Sequence, residues 1–345
     1  MRVYKACFLY FIYFVIFFNN SDLLAQTAAP TMQSQEYFKQ VDQTICVVKD
    51  LEMVIKKWQQ LGFDQWIQLG TVEATTKKSG KKIKLKMAQA NLGGAIITWI
   101  QPLDTKSVFG HFNITYKDGG MGLVYNLGNE QDTRKEVERL KLLGTEVLDE
   151  VSINTTTGNI EYVFMNTRKE GKYILGFTFG DVDKNLTAAL TGKNLFAMKQ
   201  NQYAFVAKDP KPISAYWQKI GMPPLTEAKP DLSEKMYHGA AMDYDLKQGW
   251  QKQGKVPYEW CFSLRGSNVY LDHLKNHGEG MHHLGFAVTD MDEVIRDYES
   301  KGYHFSMAGA WGEKGKPGSG RFAYVDMEDA GGVTMELLWN YPSTN

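Results

Sequence analysis

Gln202, Glu259, His283 and Glu336 follow one another at intervals of 57, 24 and 53 residues, each in or beside an apolar, strand-like run. Two carboxylates, an imidazole and an amide oxygen suit a divalent metal ion: two negative charges balance it, and four protein ligands leave positions for water or a substrate. Almost the same intervals, 55, 24 and 54 residues, lead from Gln43 to Thr98, Gly122 and Gly176. The chain therefore reads as a repeat offset by about 160 residues. One copy carries the ligand types, and Thr, Gly and Gly stand in for them in the other.

The elements that must position these residues follow a shared grammar. An apolar run from Val41 to Val48 leads to Lys49-Asp50, then to Leu51, Val54, Ile55, Trp58 and Leu61 at helical spacing, and stops at Gly62. The pattern returns at Tyr203 to Ala207, where Pro210 falls in the first helical turn, with Gly221 as the stop. Shorter versions begin at Leu123 and Leu284. Strand-like stretches follow in each copy: 83–88, 94–102, 162–166 and 172–178, then 237–242, 258–264, 321–327 and 333–339. The expected fold is α+β, with four βαβββ modules forming two tandem domains. Each pair of modules shares a curved sheet with its helices outside, and alternation along Tyr258-Glu259-Trp260 sends the carboxylate to the concave face and Trp260 outward.

The 345 residues, 43% of them apolar, suffice for two ordinary cores. With 39 basic and 39 acidic residues, the chain has no nucleic-acid footprint, and a small molecule is the expected partner. Residues 1–25 read as a cleavable signal peptide: Arg2 and Lys5 precede the apolar stretch Ala6 to Phe18, and Leu23-Leu24-Ala25 forms the cleavage site. That stretch is shorter than the roughly 20 residues of a membrane span, so the expectation is a secreted or periplasmic protein without stable membrane insertion after cleavage. Residues 26–36 form a tether, 37–190 the domain without ligands and 195–342 the domain with them. Cys46 and Cys261 read as buried free thiols.

The stretches GEGMHHLGFAV (278–288) and FAYVDMEDAGGVTMELL (322–338), with the four-module pattern, resemble the vicinal oxygen chelate superfamily, which includes glyoxalase I, methylmalonyl-CoA epimerase and extradiol dioxygenases. The resemblance covers residues 37–341. It implies that Gln202, Glu259, His283 and Glu336 hold one divalent ion (zinc, nickel, cobalt, manganese or iron), an order of ligands similar to that of eukaryotic glyoxalase I. It also implies a metal-dependent isomerase, epimerase or lyase acting on a small oxygenated substrate. Glu336 is then the favoured base, and Glu259 serves the opposite face.

His282, by strand alternation, is expected to point away from His283, and His273 and His277 read as residues that back the ligands from behind or sit in loops. Residues 309–320 read as a flexible segment over the metal, with Lys314 and Lys316 in it, or Arg321 just after it, available to meet an anionic substrate group. Two other classes remain open: a non-haem iron dioxygenase, which commonly uses two His and one carboxylate, and a secreted small-molecule binding protein.

Overall fold

The computed structural model describes residues 35–156, 158–180 and 190–341. The leader and all of the tether before residue 35 lie outside the described residues, as do residues 181–189 at the end of the expected first domain.

In the first half, β1 (Gln43–Val47), α1 (Leu51–Gln60), β2 (Trp66–Thr76), β3 (Lys81–Leu92) and β4 (Ala95–Pro102) form one module. The second comprises β5 (Gly119–Asn126), α3 (Glu130–Leu142), β6 (Val147–Thr155), β7 (Gly158–Met165), α4 (Arg168–Gly171) and β8 (Ile174–Gly180). A further helix, α2 (Val108–Tyr116), links the two modules. The eight strands close into a barrel in the order β1-β4-β3-β2-β6-β7-β8-β5.

The second half repeats this plan. β9 (Lys199–Val206), α5 (Pro210–Ile220), β10 (Thr226–Ala228), β11 (Leu232–Tyr237), β12 (Ala240–Ala241), β13 (Asp245–Gln251) and β14 (Tyr258–Arg265) precede the linking helix α6 (Val269–Asn276). β15 (Gly280–Ala287), α7 (Met291–Ser300), β16 (Phe305–Trp311), β17 (Gly320–Val325) and β18 (Thr334–Asn340) complete it. Its ten strands form a sheet that stays open, with β10 paired to β13 at one end and β11 to β16 near the other. In the first half β2 pairs with both β3 and β6 and closes the ring. Its counterpart is broken between β10 and β11, where Pro230 has no N–H for a ladder bond.

Helix starts follow the sequence reading. Asp50, Asp209 and Asp290 are N-caps whose carboxylates accept backbone N–H groups of Met53, Lys211 and Glu293. Gly221 ends α5 in the left-handed region at φ 113°.

The strands missed in the sequence are mostly amphipathic or polar: β2, β10 and β11 carry several exposed residues, and β6 and β13 alternate between buried and half-buried positions over much of their length. The segment 309–320 is also less of a loop than expected, because residues 309–311 end β16 and 320 begins β17. The 237–242 run is likewise not one strand. It turns at His238-Gly239, both at positive φ, between β11 and β12.

The cores explain what is filled and what is left open. Inside the closed barrel, Ile45, Val47, Leu85, Met87, Tyr162 and Phe164 pack with Phe109 and Phe112 of α2, which plugs it. Inside the open sheet a smaller cluster gathers around Tyr244, Cys261, Tyr270, Phe322 and Tyr324. The largest cluster runs between the halves, and its indoles bond across them in matching fashion. Trp58 Nε1 donates to the Ala330 carbonyl at 2.9 Å, and Trp217 Nε1 donates to Gly171 at 3.1 Å.

Candidate metal centre

Strand register places the four residues of each repeat in one arrangement. Across β1, Thr98 and Gly122 both sit opposite Ile45, and Gly176 sits opposite Val124. Across β9, Glu259 and His283 both sit opposite Ala204, and Glu336 sits opposite Gly285. Gln43 and Gln202 lie two residues before Ile45 and Ala204, on the same face of their strands.

In the second half the polar atoms converge. His283 Nε2 lies 3.4 Å from Glu259 Oε2 and 3.2 Å from Glu336 Oε2. Gln202 Nε2 lies 3.4 Å from the same imidazole nitrogen and donates to the Glu259 and Glu336 carboxylates at 2.5 and 2.6 Å. All four side chains are buried.

The donor set fits a divalent ion. Bonds of about 2.1 Å put neighbouring ligand atoms about 3.0 Å apart in an octahedron and about 3.4 Å apart in a tetrahedron, which brackets the His–Glu separations. Half a turn of the Gln202 amide exchanges its nitrogen for Oε1 at the same place, an exchange that heavy-atom positions alone do not distinguish. The electrostatics agree. Burial raises the Glu259 pKa, with the bond to His283 opposing it. Burial disfavours a charged His283, yet Glu336 and Glu259 outweigh it and raise its pKa to about 9. Each group thus tends to hold a proton that offsets surplus buried negative charge, and a divalent cation meets the same need.

The carboxylates differ in access. Glu336 lines a cavity of about 560 Å³, together with Gln202 and Gln248. Glu259 is absent from that lining and is held through Oε1, which accepts from Gln248 Nε2 at 2.7 Å.

One histidine expectation changes. Phe205 pairs with Met281 and Ala204 with His283, so His282 is the extra residue of a β-bulge. The bulge suspends simple alternation and brings His282 Nδ1 to 2.8 Å from His283 Nδ1. His273, on α6, packs edge-on against His282 and stacks on His277 at ring separations of 5.0 and 4.9 Å. Four buried histidines therefore run from the centre to the boundary between the halves. Cys261, two residues past Glu259, also reaches the centre, with Sγ within 4.8 Å of the Glu259 and His283 ligand atoms. Burial pushes its thiol pKa well up.

The basic residues expected to meet substrate lie elsewhere. On β17, Phe322 and Tyr324 face the cavity, and Arg321, of opposite phase, donates to Asp292 at 2.8 Å. Lys314 reaches toward the ring of Tyr341, and neither it nor Lys316 lines the cavity. Sequence reasoning missed Trp250, Tyr270 and Trp311 in the lining. Alternation along β13 and β16 carries that signal for Trp250 and Trp311, but these strands were not recognised; Tyr270 comes from the linking helix α6.

In the first half the equivalent place is closed. Gln43 Oε1 accepts from Thr98 and, at 3.1 Å, from Tyr162, while Gln89 Nε2 donates to Thr98 at 2.9 Å. A side chain at Gly122 would collide with the Ile174 carbonyl, and one at Gly176 would meet Val124 and Phe164.

Residues 201–324 match the profile of the Glyoxalase/Bleomycin resistance protein/Dioxygenase superfamily. Over those residues the second half is similar to vicinal oxygen chelate domains. A triple mutant of 4-hydroxymandelate synthase from Streptomyces coelicolor is similar in structure, at 12% identity and TM-score 0.55 over 89% of this chain and 94% of that one. At that identity the likeness speaks for a common fold over nearly the whole chain. Lower scores relate the chain to a catechol 2,3-dioxygenase (10% identity, TM-score 0.45, covering 89% of this chain and 90% of that one) and to methylmalonyl-CoA epimerase from Mycobacterium tuberculosis (19%, 0.28, covering 41% and 88%). The superfamily includes metal-dependent isomerases, lyases and dioxygenases acting on small organic molecules.

Proposed function

We propose that this vicinal oxygen chelate protein is a metal-dependent isomerase, epimerase or lyase that removes a proton beside a carbonyl of a small substrate carrying two adjacent oxygens. Gln202, Glu259, His283 and Glu336 hold the ion, which as a Lewis acid polarises the chelated carbonyl. Gln248 fixes Glu259 as a ligand. Glu336 faces the substrate space and serves as the base that takes the proton and returns it to carbon. The observation carrying this assignment is the unequal access of the two carboxylates to the cavity. One imidazole and two carboxylates, rather than two imidazoles and one carboxylate, favour proton transfer over oxygen activation. The leader supports export to a secreted or periplasmic setting.

The test begins with metal content of the mature chain. About one ion per chain, lost in Glu259→Ala and His283→Ala, is the expected result; an unchanged content in either variant removes that ligand. Glu336→Gln then retains metal and loses solvent-deuterium exchange into α-hydroxy carbonyl compounds by about a hundredfold or more. Wild-type exchange in that variant refutes Glu336 as base, and stoichiometric oxygen uptake redirects the reading to a dioxygenase.

A further inference from the structure

The cavity over the metal centre contains no basic side chain among its described lining residues. Trp250, Tyr270, Trp311, Phe322 and Tyr324 give it aromatic walls, and Asn201, Gln248 and Asn340 supply uncharged amides. Its charged lining residues are Glu336, already committed to the centre, and Asp231 beside the break between β10 and β11. Four basic residues on the surrounding strands and their connections are engaged elsewhere: Lys229 with Asp245, Lys235 with Asp243, Lys247 with Glu227 and Arg321 with Asp292.

Glu259 and Glu336 neutralise a divalent ion completely, so the loaded centre offers an anionic substrate no net positive charge. Asp231 adds a negative charge at the cavity wall. A carboxylate, phosphate or thioester-bound anionic carrier entering here loses water and finds no cationic side chain in return, only an ion whose charge Glu259 and Glu336 already balance. An uncharged ring or chain gains apolar contact instead, and its adjacent oxygens reach the ion beside Glu336.

We infer that the substrate is a neutral, largely apolar or aromatic molecule whose only strongly polar groups are the two chelating oxygens and groups that an amide can satisfy. This rests on the chelation reading above and narrows it to a substrate class.

The probes are 2-hydroxyacetophenone and phenylglyoxylate, which share a phenyl ring and adjacent oxygens but differ in charge. Their binding to metal-loaded and metal-free protein is followed by quenching of tryptophan fluorescence, a readout independent of turnover. In loaded protein the neutral probe binds about tenfold tighter than the anion or better, and Asp231→Asn narrows the gap about threefold by improving the anion. Phenylglyoxylate binding as tightly as the neutral probe, or tighter, overturns the inference and leaves chelation intact. A neutral probe that binds no tighter with metal than without it overturns the chelation reading itself.

Discussion

The four ligand-type residues were legible because each repeat kept its spacing while only one kept the chemistry; a single copy of Gln, Glu, His and Glu would have been far weaker evidence. Local geometry was less legible. His282 follows alternation on paper, but the bulge places its ring against His283. Burial, with His273 and His283 beside it, keeps its pKa well below the usual imidazole value, so it is neutral and its Nδ1 can accept. An imidazole that binds metal through Nε2 carries its proton on Nδ1, and His282 fixes that tautomer and the plane of the ring. Replacing His282 by Phe removes the acceptor while keeping an aromatic ring in the buried space. Metal affinity, measured by competition with a chelator, is expected to fall by about 10–100-fold. Unchanged affinity in a folded variant shows that His283 needs no such orientation.

At the scale of elements, helix starts and the apolar central strands were visible in the sequence, whereas strands bordering the cavity were not. β13, Asp245-Leu-Lys-Gln-Gly-Trp-Gln, hides its period under polar residues, since its inward positions serve a cavity rather than an oily core. The closed barrel shows the reverse case. There Gly122 and Gly176 are more than missing ligands, because neighbouring atoms have taken up their side-chain space. The Ile174 carbonyl belongs to a paired strand and has little freedom to retreat, while Val124 and Phe164 are side chains that can shift. Gly122→Ala is therefore expected to destabilise the protein by about 1–3 kcal/mol or more, and Gly176→Ala by less. Denaturant midpoints at constant slope decide the matter. Equal midpoints for both variants would mean that β5 and β8 separate more easily than their pairing suggests.

At the scale of the whole molecule, the halves share one extensive core, and His277 secures their polar margin. Its Nδ1 lies 2.8 Å from the Tyr116 carbonyl in the first half, and its Nε2 lies 2.8 Å from Glu328 Oε1 in the second. Both partners are acceptors, so both ring nitrogens donate and the ring is a cation. Burial opposes that charge, but Glu328 and the Tyr116 carbonyl overcome it and raise the His277 pKa, with Lys117 pulling the other way. The bond to His277 in turn lowers the Glu328 pKa against burial. A raised imidazole pKa stabilises the fold fully below the unfolded value of about 6.5 and ceases to do so as pH rises through the folded value. The lowered carboxylate works in the opposite sense: its share is present above about 4.3 and is lost as pH falls through its folded value. The clamp is thus strongest from about pH 5 to 6.5, between those limits. Thermal unfolding of the wild type and His277→Gln should differ most near pH 6, with the gap shrinking steadily toward pH 9. A difference independent of pH would mean that His277 acts through packing against His273 alone, with its charge contributing nothing to the junction.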